Sequence, residues 1–319
     1  MNKSIRNNSD SKKIITILGA PFLYGKDDTN RSTAPNTIRK VGLFNALKLA
    51  GFEYEDKGNI KISQKTTRLD ITLRHVEEII DIAKKTADVV ADSITAHRFP
   101  LVLGGDHSNA IGSILGIASK MNGVTLIYLD THGDFHTSQT TPSGRLHGMA
   151  LALSLGLDKK FNSYFDSKTR FFDKKNTVLF GGQKFDPGER AIIEKNISLI
   201  DIDFIISQGI GKAVDKLMNL IKTDKIYISL DLDVIDKEYA PATDTSIAGA
   251  LSYREIIYTL ENLSKKFNVV GMDVTELSPK KDIDDKTSKL AIECITSALG
   301  HRIGEYELYM DNLASSTPL

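Results

Sequence analysis

The stretch VTLIYLDTHGDFHTSQTTPSGRLHGM, residues 124–149, decides how the chain is interpreted. Its first six residues are mostly apolar and predict a buried strand, after which the chain turns abruptly polar. Asp130, His132, Asp134 and His136 then follow at every second position. Because successive side chains of an extended chain alternate between its two faces, this spacing directs all four the same way. The alternative is a polar loop in which the alternation is accidental.

Two carboxylates and two imidazoles that converge at the end of a strand require a positive partner. Carboxylates that are withdrawn from water repel one another, and each also loses its hydration. A divalent cation bound between them relieves both effects, since it is the largest local charge in such a site. The spacing therefore predicts a metal site at this strand end.

The composition is that of a folded globular protein. The chain has 319 residues, of which 41% are hydrophobic and 26% charged. Lys and Arg together number 41, as do Asp and Glu, so the formal net charge is zero. A neutral chain has no general attraction for nucleic acid or for an anionic membrane. We therefore expect neither of these as a partner.

The termini and the cysteine content indicate a cytoplasmic protein. Cys294 is the only cysteine in the sequence, which rules out an intrachain disulfide and fits a reducing compartment. Residues 1–13 are polar and are expected to form a disordered tail. The apolar run that follows is too short to span a bilayer and lacks a signal-peptide cleavage pattern. Residues 14–319 are expected to form a single domain.

Strand and helix patterns alternate along the chain. Helical spacings of apolar residues lie between most of the strand-like runs. This rhythm predicts an α/β fold with three layers, in which a mostly parallel central sheet lies between two layers of helices. The predicted strands are residues 14–18, 99–103, 124–129, 177–180, 197–202, 226–230 and 268–272.

Four of the predicted strands run directly into acidic residues or histidine. In parallel sheets, ligands bind beyond the carboxyl ends of the strands, so these side chains are expected to meet. One such ending is weak evidence, whereas four in one chain are hard to attribute to chance. In chain order, the residues are His107, then Asp130, His132 and Asp134, then Asp231 and Asp233, and finally Asp273 and Glu276.

Six of these residues are the candidate metal ligands. They offer more donors than one ion needs and suit two ions bridged by carboxylates. Four carboxylates formally balance two divalent cations, and the oxygen-rich set favours manganese over a thiolate-bound zinc. We expect two Mn²⁺ ions per subunit; the alternative for Asp231 and Asp233 is a helix cap or turn. The candidate ligands are His107, Asp130, His132, Asp134, Asp231 and Asp233.

Taken together, the motifs resemble those of the ureohydrolase family, which includes arginase, agmatinase, guanidino-acid hydrolases and formimidoylglutamase. The resemblance covers nearly all of the chain after the first dozen residues. It is closest to arginase in the segments TTPSGRLHGM and QKFDPGE, which are residues 140–149 and 183–189. The other matching segments are GGDHS at 104–108, DTHGD at 130–134, SLDLDVID at 229–236, PATDTSIAGALSYRE at 241–255 and GMDVTEL at 271–277.

The resemblance implies a three-layer α/β/α fold and a binuclear manganese centre built from the six ligands. It also implies hydrolysis of a guanidinium to urea and an amine by a trimer or hexamer. The first expectation is conversion of L-arginine to L-ornithine and urea. Other guanidino acids, agmatine, formimidoylglutamate or a metal-binding homologue without activity remain alternatives. Deacetylases of similar fold hold one zinc ion with fewer carboxylate ligands. The full set of six candidate ligands in this chain argues against that class.

Three residues are the candidate catalytic groups. Asp134 would bind metal and accept a hydrogen bond from a hydroxide held between the two ions. Glu276 is suited to pair with a planar guanidinium, because a carboxylate matches the geometry of that fork. His147 matches a family histidine, titrates near neutral pH and can pass a proton to the leaving amine. The alternative for His147 is a helix-start residue bonded to backbone.

Five residues are the candidate substrate contacts. His136 and Arg145 stand where arginases carry asparagine, and the family's glycine-rich segment is altered here at residues 24–35. Arg145 can hold a carboxylate in bidentate fashion, which predicts a guanidino substrate with an anionic tail. The alternative is that Arg145 turns to solvent and His136 packs against its loop. The remaining contacts match family positions and are Ser143, Asp186 and Thr245.

Overall fold

Eight parallel strands form the central sheet of this computed structural model, which describes residues 13–21, 31–61 and 73–302. Their order across the sheet is β2-β1-β3-β8-β7-β4-β5-β6. The predicted disordered tail lies outside the described residues, apart from Lys13. The strands are β1 (Ile14–Ala20), β2 (Glu53–Asn59), β3 (Phe99–Gly104), β4 (Val124–Leu129), β5 (Thr177–Gly182), β6 (Ser198–Asp201), β7 (Lys225–Asp231) and β8 (Asn268–Thr275).

β2 is the strand that the sequence analysis does not predict. Its sequence, EYEDKGN, carries no apolar alternation, and its side chains are exposed or half-buried. It lies at the edge of the sheet and pairs with β1 alone. Backbone pairing with β1 adds this strand to the sheet, and its one aromatic side chain, Tyr54, stacks on Phe44 with ring centroids 4.9 Å apart. Its charged side chains are typical of an edge that must not recruit another chain.

Eleven α-helices occur in the described residues. Asp201 caps α8 by accepting a hydrogen bond from the backbone N–H of Phe204, so the chain turns into a helix where strand β6 ends. Every described helix is too short or too polar to cross a lipid bilayer. The helices are α1 (Ala34–Ile38), α2 (Phe44–Leu49), α3 (Val76–Thr95), α4 (Asn109–Lys120), α5 (Ala150–Ser154), α6 (Lys159–Asn162), α7 (Glu189–Asn196), α8 (Ile202–Gln208), α9 (Ile210–Leu220), α10 (Tyr253–Lys266) and α11 (Lys286–Ala298).

Helices cover both faces of the sheet. In β4, Ile127 and Leu129 pack in the core shared with α1, α2 and α8 to α11. Leu126 and Tyr128 point the other way, into the core shared with α3, α4, α5 and α7. This alternation is the expected pleat of a strand that is buried on both faces. The predicted three-layer α/β/α fold is therefore confirmed, and its sheet is parallel throughout.

The strand order brings the predicted ligand-bearing strands together. The four strands that run into acidic residues or histidine are β3, β4, β7 and β8, and they are neighbours in the order β3-β8-β7-β4. Since all are parallel, their carboxyl ends meet along one edge of the sheet. The candidate site is built at this edge.

Candidate metal centre and active site

His107 lies within reach of three carboxylates. Its Nδ1 is 2.8 Å from Oδ2 of Asp130. The same nitrogen is 3.1 Å from Oδ2 of Asp231 and 3.2 Å from Oδ2 of Asp134. All four side chains are buried. The end of β3 therefore meets the ends of β4 and β7 in a single cluster.

His132 faces a second pair of carboxylate oxygens. Its Nδ1 lies 3.2 Å from Oδ2 of Asp233 and 3.4 Å from Oδ1 of Asp130. The two oxygens of Asp130 thus point to different histidines, Oδ2 to His107 and Oδ1 to His132. All six predicted metal ligands lie in one cluster, with Asp130 at its centre.

Two groups in this cluster have the spacing of metal sites. One is formed by His107, Asp130 and Asp134, and the other by Asp130, His132 and Asp233. Within each group, the donor atoms lie no more than 4.8 Å apart. The groups share Asp130, so a carboxylate joins them. This is the arrangement that a pair of carboxylate-bridged ions requires.

The protonation of the cluster shows its need for positive charge. Burial, reinforced by neighbouring Asp130, raises the pKa of Asp134 to about 6. Burial and the charge of Asp233 raise the pKa of Asp231 well above its usual range. Although burial opposes it, hydrogen bonds to Asp130 and Asp233 raise the pKa of His132 to about 12. The raised pKa values favour the protonated forms of these residues. A divalent cation bound among them would supply more positive charge than those protons do.

An orphaned oxygen of Asp233 supports the same conclusion. Its Oδ2 accepts a hydrogen bond from Thr245 Oγ1 at 2.5 Å. Its Oδ1 is buried and has no hydrogen-bond partner among the described residues. A buried carboxylate oxygen without a partner is costly, and a bound cation would satisfy it. The donor set, rich in oxygen with two imidazoles, therefore fits divalent metal ions.

Asp134 and Glu276 share an unusual backbone conformation. Their φ angles are +48° and +69°, in the left-handed region that residues with a side chain rarely adopt. The backbone N–H groups of Leu151 and Ala152 donate to the carbonyl of Asp134, and the N–H of Glu276 donates to Gly105. Such strain persists where surrounding contacts hold it, and it is common at functional sites. Both residues are predicted catalytic groups.

Glu189 holds the loop that carries Asp134, although sequence analysis did not identify it. Its Oε1 accepts from the backbone N–H of Phe135 at 3.0 Å, and its Oε2 accepts from the backbone N–H of Asp186 at 3.0 Å. A Cβ at Gly133 would lie 2.6 Å from the Glu189 carboxyl group. The glycine of the DTHGD segment thus allows the close approach of this carboxylate.

A second hydrogen-bonded chain orients His107. Its Nε2 lies 3.1 Å from Ser229 Oγ, which donates to Oδ1 of Asp273 at 2.7 Å. Tyr227 and Ser113 donate to the other oxygen of Asp273 at 2.8 and 2.7 Å. A histidine fixed through one nitrogen presents the other in a defined orientation, as metal-binding histidines do.

A cavity of about 470 Å³ opens over the cluster. The three predicted catalytic residues, His147, Glu276 and Asp134, all line it. Glu276 Oε1 accepts a hydrogen bond from the backbone N–H of His107 at 2.9 Å. Burial raises the pKa of Glu276 to about 7, although the nearby charge of Arg31 opposes that shift. The cavity thus joins the metal cluster to a carboxylate poised to change its charge.

The predicted substrate contacts divide into two sets. His136, Asp186 and Thr245 line the cavity, whereas Ser143 and Arg145 are not among its lining residues. His136 Nε2 lies 2.9 Å from Oδ2 of Asp186, so these two contacts bind each other. Ser143 is exposed, and its Oγ accepts from the backbone N–H of half-buried Arg145 at 3.3 Å.

Two further residues at the site were missed by sequence analysis. Tyr128 donates to Oδ2 of Asp134 at 2.8 Å and stacks on the ring of His107, with centroids 4.5 Å apart. Its position in an apolar run gave no sign of this role. Arg31 lies against Glu276, and the only sequence signal was its place in the altered segment 24–35.

Residues 13–300 match the family model described as the arginase family. A protein named arginase from Brevibacillus brevis is 33% identical over 296 residues, covering 91% of this chain and 99% of that protein. One from Staphylococcus aureus is 34% identical over 300 residues, covering 92% and 99%. The crystal structure of arginase from Bacillus cereus is 31% identical with a TM-score of 0.84, covering 92% of this chain and 100% of that one.

The family model spans most of the chain, and both relatives exceed 30% identity over nine-tenths of it. The eight-stranded parallel sheet and the shared-carboxylate cluster are consistent with those similarities. The chain therefore belongs to the arginase family of hydrolases, which act on amidine C–N bonds.

Proposed function

We propose that this protein hydrolyses a guanidino compound to urea and an amine with manganese as cofactor, and that L-arginine is its substrate. The observation that carries the proposal is the pair of histidine–carboxylate groups that share Asp130 and adjoin a cavity that Glu276 also lines. Relatives of similar length that are named arginase support the substrate.

The two groups would hold two Mn²⁺ ions. His107, Asp134 and Asp231 would bind one ion, His132 and Asp233 the other, and Asp130 would bridge them. When bound, such ions supply Lewis acidity and an activated water near neutral pH. Asp134, with its strained backbone and its hydrogen bond from Tyr128, would orient that water through a hydrogen bond.

Glu276 would bind the guanidinium of the substrate. Its Oε1 is fixed by the backbone N–H of His107, so Oε2 is the oxygen assigned to the guanidinium of the substrate. A carboxylate and a guanidinium form short, charge-assisted hydrogen bonds in a fixed plane. This pairing would set the guanidinium carbon over the metal cluster, where alignment of the reacting atoms contributes most to the rate.

His147 would supply the proton for the leaving amine. It begins the helical turn His147–Met149 and lines the cavity, but it belongs to neither metal group. An imidazole that titrates near neutral pH can take a proton at one step and return it at another. His147 is therefore assigned the role of general acid.

The α-amine and α-carboxylate of the substrate would be bound at the mouth of the cavity. Asp186, which is hydrogen-bonded to His136, would accept the α-amine, and Thr245 would support Asp233. Arg145 and Ser143 would recognise the α-carboxylate, since an arginine can bind a carboxylate in bidentate fashion. Because neither lines the cavity, they would contact only a substrate whose tail extends beyond it.

A cytoplasmic location, which fits the single cysteine, and a trimeric or hexameric assembly, which rests on the resemblance to the family, complete the proposal. Residues 14–319 are proposed to fold as one domain. Sedimentation of the purified chain measures the assembly. A monomer that retains full urea-releasing activity would contradict a required trimer.

The deciding experiment measures urea release by the manganese-loaded full-length protein. The panel is L-arginine, agmatine, 4-guanidinobutanoate, 3-guanidinopropanoate and formimidoylglutamate, compared by kcat/KM. We expect L-arginine to be best and agmatine, which has no carboxylate, to be poor. Agmatine turning over as well as every carboxylate substrate would refute recognition of an anionic tail. Manganese binding without turnover of any of the five would indicate a non-catalytic homologue.

A further inference from the structure

Arg31 places one of the protein's own guanidinium groups at the candidate active site. Its Nη1 lies 2.7 Å from Oε2 of Glu276, and its Nη2 forms a hydrogen-bonded ion pair with Asp244. The side chain lines the cavity and is almost fully buried. The carboxylate assigned to the guanidinium of the substrate is thus already in contact with a guanidinium of the chain.

We propose that Arg31 competes with the guanidino substrate for Glu276 and so acts as an internal occupant of the guanidinium subsite. This inference rests on the proposed function, because it takes Glu276 as the carboxylate that binds the substrate. Before the substrate binds, Arg31 spans Glu276 and Asp244. When the substrate binds, its guanidinium takes Oε2 of Glu276, and Asp244 retains Arg31.

The contact between Arg31 and Glu276 is suited to displacement. Oε2 of Glu276 is close to Nη1 but accepts no aligned hydrogen bond from the described part of the chain. Nε of Arg31 is buried and likewise finds no acceptor among those residues. The pair lacks the two parallel hydrogen bonds of the best arginine–carboxylate contacts. An incoming guanidinium can therefore form better-aligned bonds to Glu276 than Arg31 does.

Asp244 is the anchor that keeps Arg31 inside the protein. It also accepts a hydrogen bond from Ser278 Oγ at 3.0 Å and pairs with Lys281 Nζ at 2.6 Å. Burial opposes the shift, but Lys281 and Arg31 hold the pKa of Asp244 at about 2. Asp244 is therefore charged at neutral pH. A buried arginine that lost Glu276 would still have this ionised partner, which avoids the cost of an unpaired buried charge.

The charges of this cluster make substrate binding an exchange. When Glu276 is ionised, it and Asp244 are balanced by Arg31 and Lys281, so these four side chains have no excess negative charge to attract a cation. The apparent Kd for a guanidinium equals its intrinsic Kd divided by the fraction of molecules in which Glu276 is free. If Arg31 occupies Glu276 nine-tenths of the time, the apparent Kd rises roughly tenfold.

Titration calorimetry with methylguanidinium chloride tests the competition on manganese-loaded full-length protein. We expect Arg31→Met, which keeps the length of the side chain without its charge, to lower the Kd by about tenfold. Arg39→Met is the matched control, because Arg39 pairs with Asp56 and does not line the cavity. Tetramethylammonium chloride, which has no N–H donor, should bind neither protein. An unchanged or higher Kd for Arg31→Met overturns the proposal.

A second variant predicts an effect of opposite sign. Asp244→Asn removes the anchor but leaves Arg31 paired with Glu276, so displacing Arg31 becomes harder and the Kd for methylguanidinium should rise. A general loosening of the cavity would change both variants in the same direction. A lower Kd for Asp244→Asn contradicts the exchange. This variant also keeps the test decisive if Arg31→Met does not fold.

The same variants separate this inference from the proposed hydrolysis. If Arg31→Met binds methylguanidinium more tightly while neither it nor the wild type releases urea from any substrate in the panel, the hydrolysis is refuted and the competition stands. If urea is released and the Kd is unchanged by Arg31→Met, the hydrolysis stands and the competition is refuted. If neither protein binds methylguanidinium, Glu276 is not a guanidinium subsite and the competition is refuted.

Discussion

The hydroxyl of Tyr128 donates a hydrogen bond to Oδ2 of Asp134 across 2.8 Å. Both residues are buried, and Asp134 sits in a left-handed backbone conformation. The ring of Tyr128 also stacks on His107, the histidine of the first metal group. One side chain in β4 therefore links the two residues that converge from separate strand ends.

Replacing Tyr128 by phenylalanine should destabilise the metal-free protein. The variant keeps the ring that stacks on His107 but removes the donor to Asp134, and a hydrogen bond to a charged group contributes about 1.5–3 kcal/mol. Urea unfolding in the presence of a chelator measures the difference. Tyr258→Phe is the control, because Tyr258 is exposed. Equal unfolding free energies for the two variants would mean that the hydroxyl of Tyr128 contributes nothing to stability.

The shared position of Asp130 makes a prediction about metal stoichiometry. Asp130 belongs to both metal groups, whereas Asp233 belongs to one. We expect about two manganese ions per wild-type chain, the number that a carboxylate-bridged pair requires. Asp233→Asn should retain about one, and Asp130→Asn should weaken both sites. Elemental analysis after gel filtration measures the ratio.

Asp186→Asn is the control for these two variants. Asp186 lines the cavity but belongs to neither metal group, so this change should leave the ratio of manganese to protein as in the wild type. A wild-type ratio of one, or equal ratios for Asp130→Asn and Asp233→Asn, would contradict two sites joined by Asp130.

The ligand cluster was predictable because its signals are local. The alternate spacing of Asp130, His132 and Asp134 is visible in five consecutive residues, which directly follow one apolar run. Their convergence with His107 and Asp231 depends on the order β3-β8-β7-β4, which brings together strands far apart in the chain. Residue patterns in one sequence do not specify that order, and it was not predicted; the expectation that these residues meet rested on the rule for the carboxyl ends of parallel strands and on the resemblance to a family.

The contacts of Arg31 could not be predicted for the same reason. Its partner Asp244 is 213 positions away, and no pattern of residue spacing connects the two. The edge strand β2 was not predicted from the sequence for a different reason. Its polar sequence has no alternation of apolar residues, because it pairs with the backbone of β1 at the sheet edge and packs only one aromatic side chain, Tyr54, against the core. Local periodicity reveals a repeated pattern of buried residues, and neither Arg31 nor β2 belongs to such a pattern.

Cys294 should give the protein a distinct stability profile at alkaline pH. Its side chain is fully buried, and burial raises the pKa of the thiol above its ordinary value. Above about pH 8.5, the unfolded chain releases this proton while the folded chain retains it. Wild-type unfolding free energy should therefore fall, relative to Cys294→Ala, by up to about 1.4 kcal/mol per pH unit. Parallel pH dependences for the two proteins would show that the thiol ionises equally in both states.

His147 should contribute to turnover without contributing to metal binding. Like Glu276, it lines the cavity, but it belongs to neither metal group. His147→Asn should lower kcat by about 10²–10⁴, the usual contribution of a positioned proton donor, while manganese content stays at the wild-type value. His97→Asn provides the control, because His97 is exposed and lies outside the cavity. Loss of manganese in His147→Asn would reassign the residue to the metal centre, and an unchanged kcat would remove it from the chemistry.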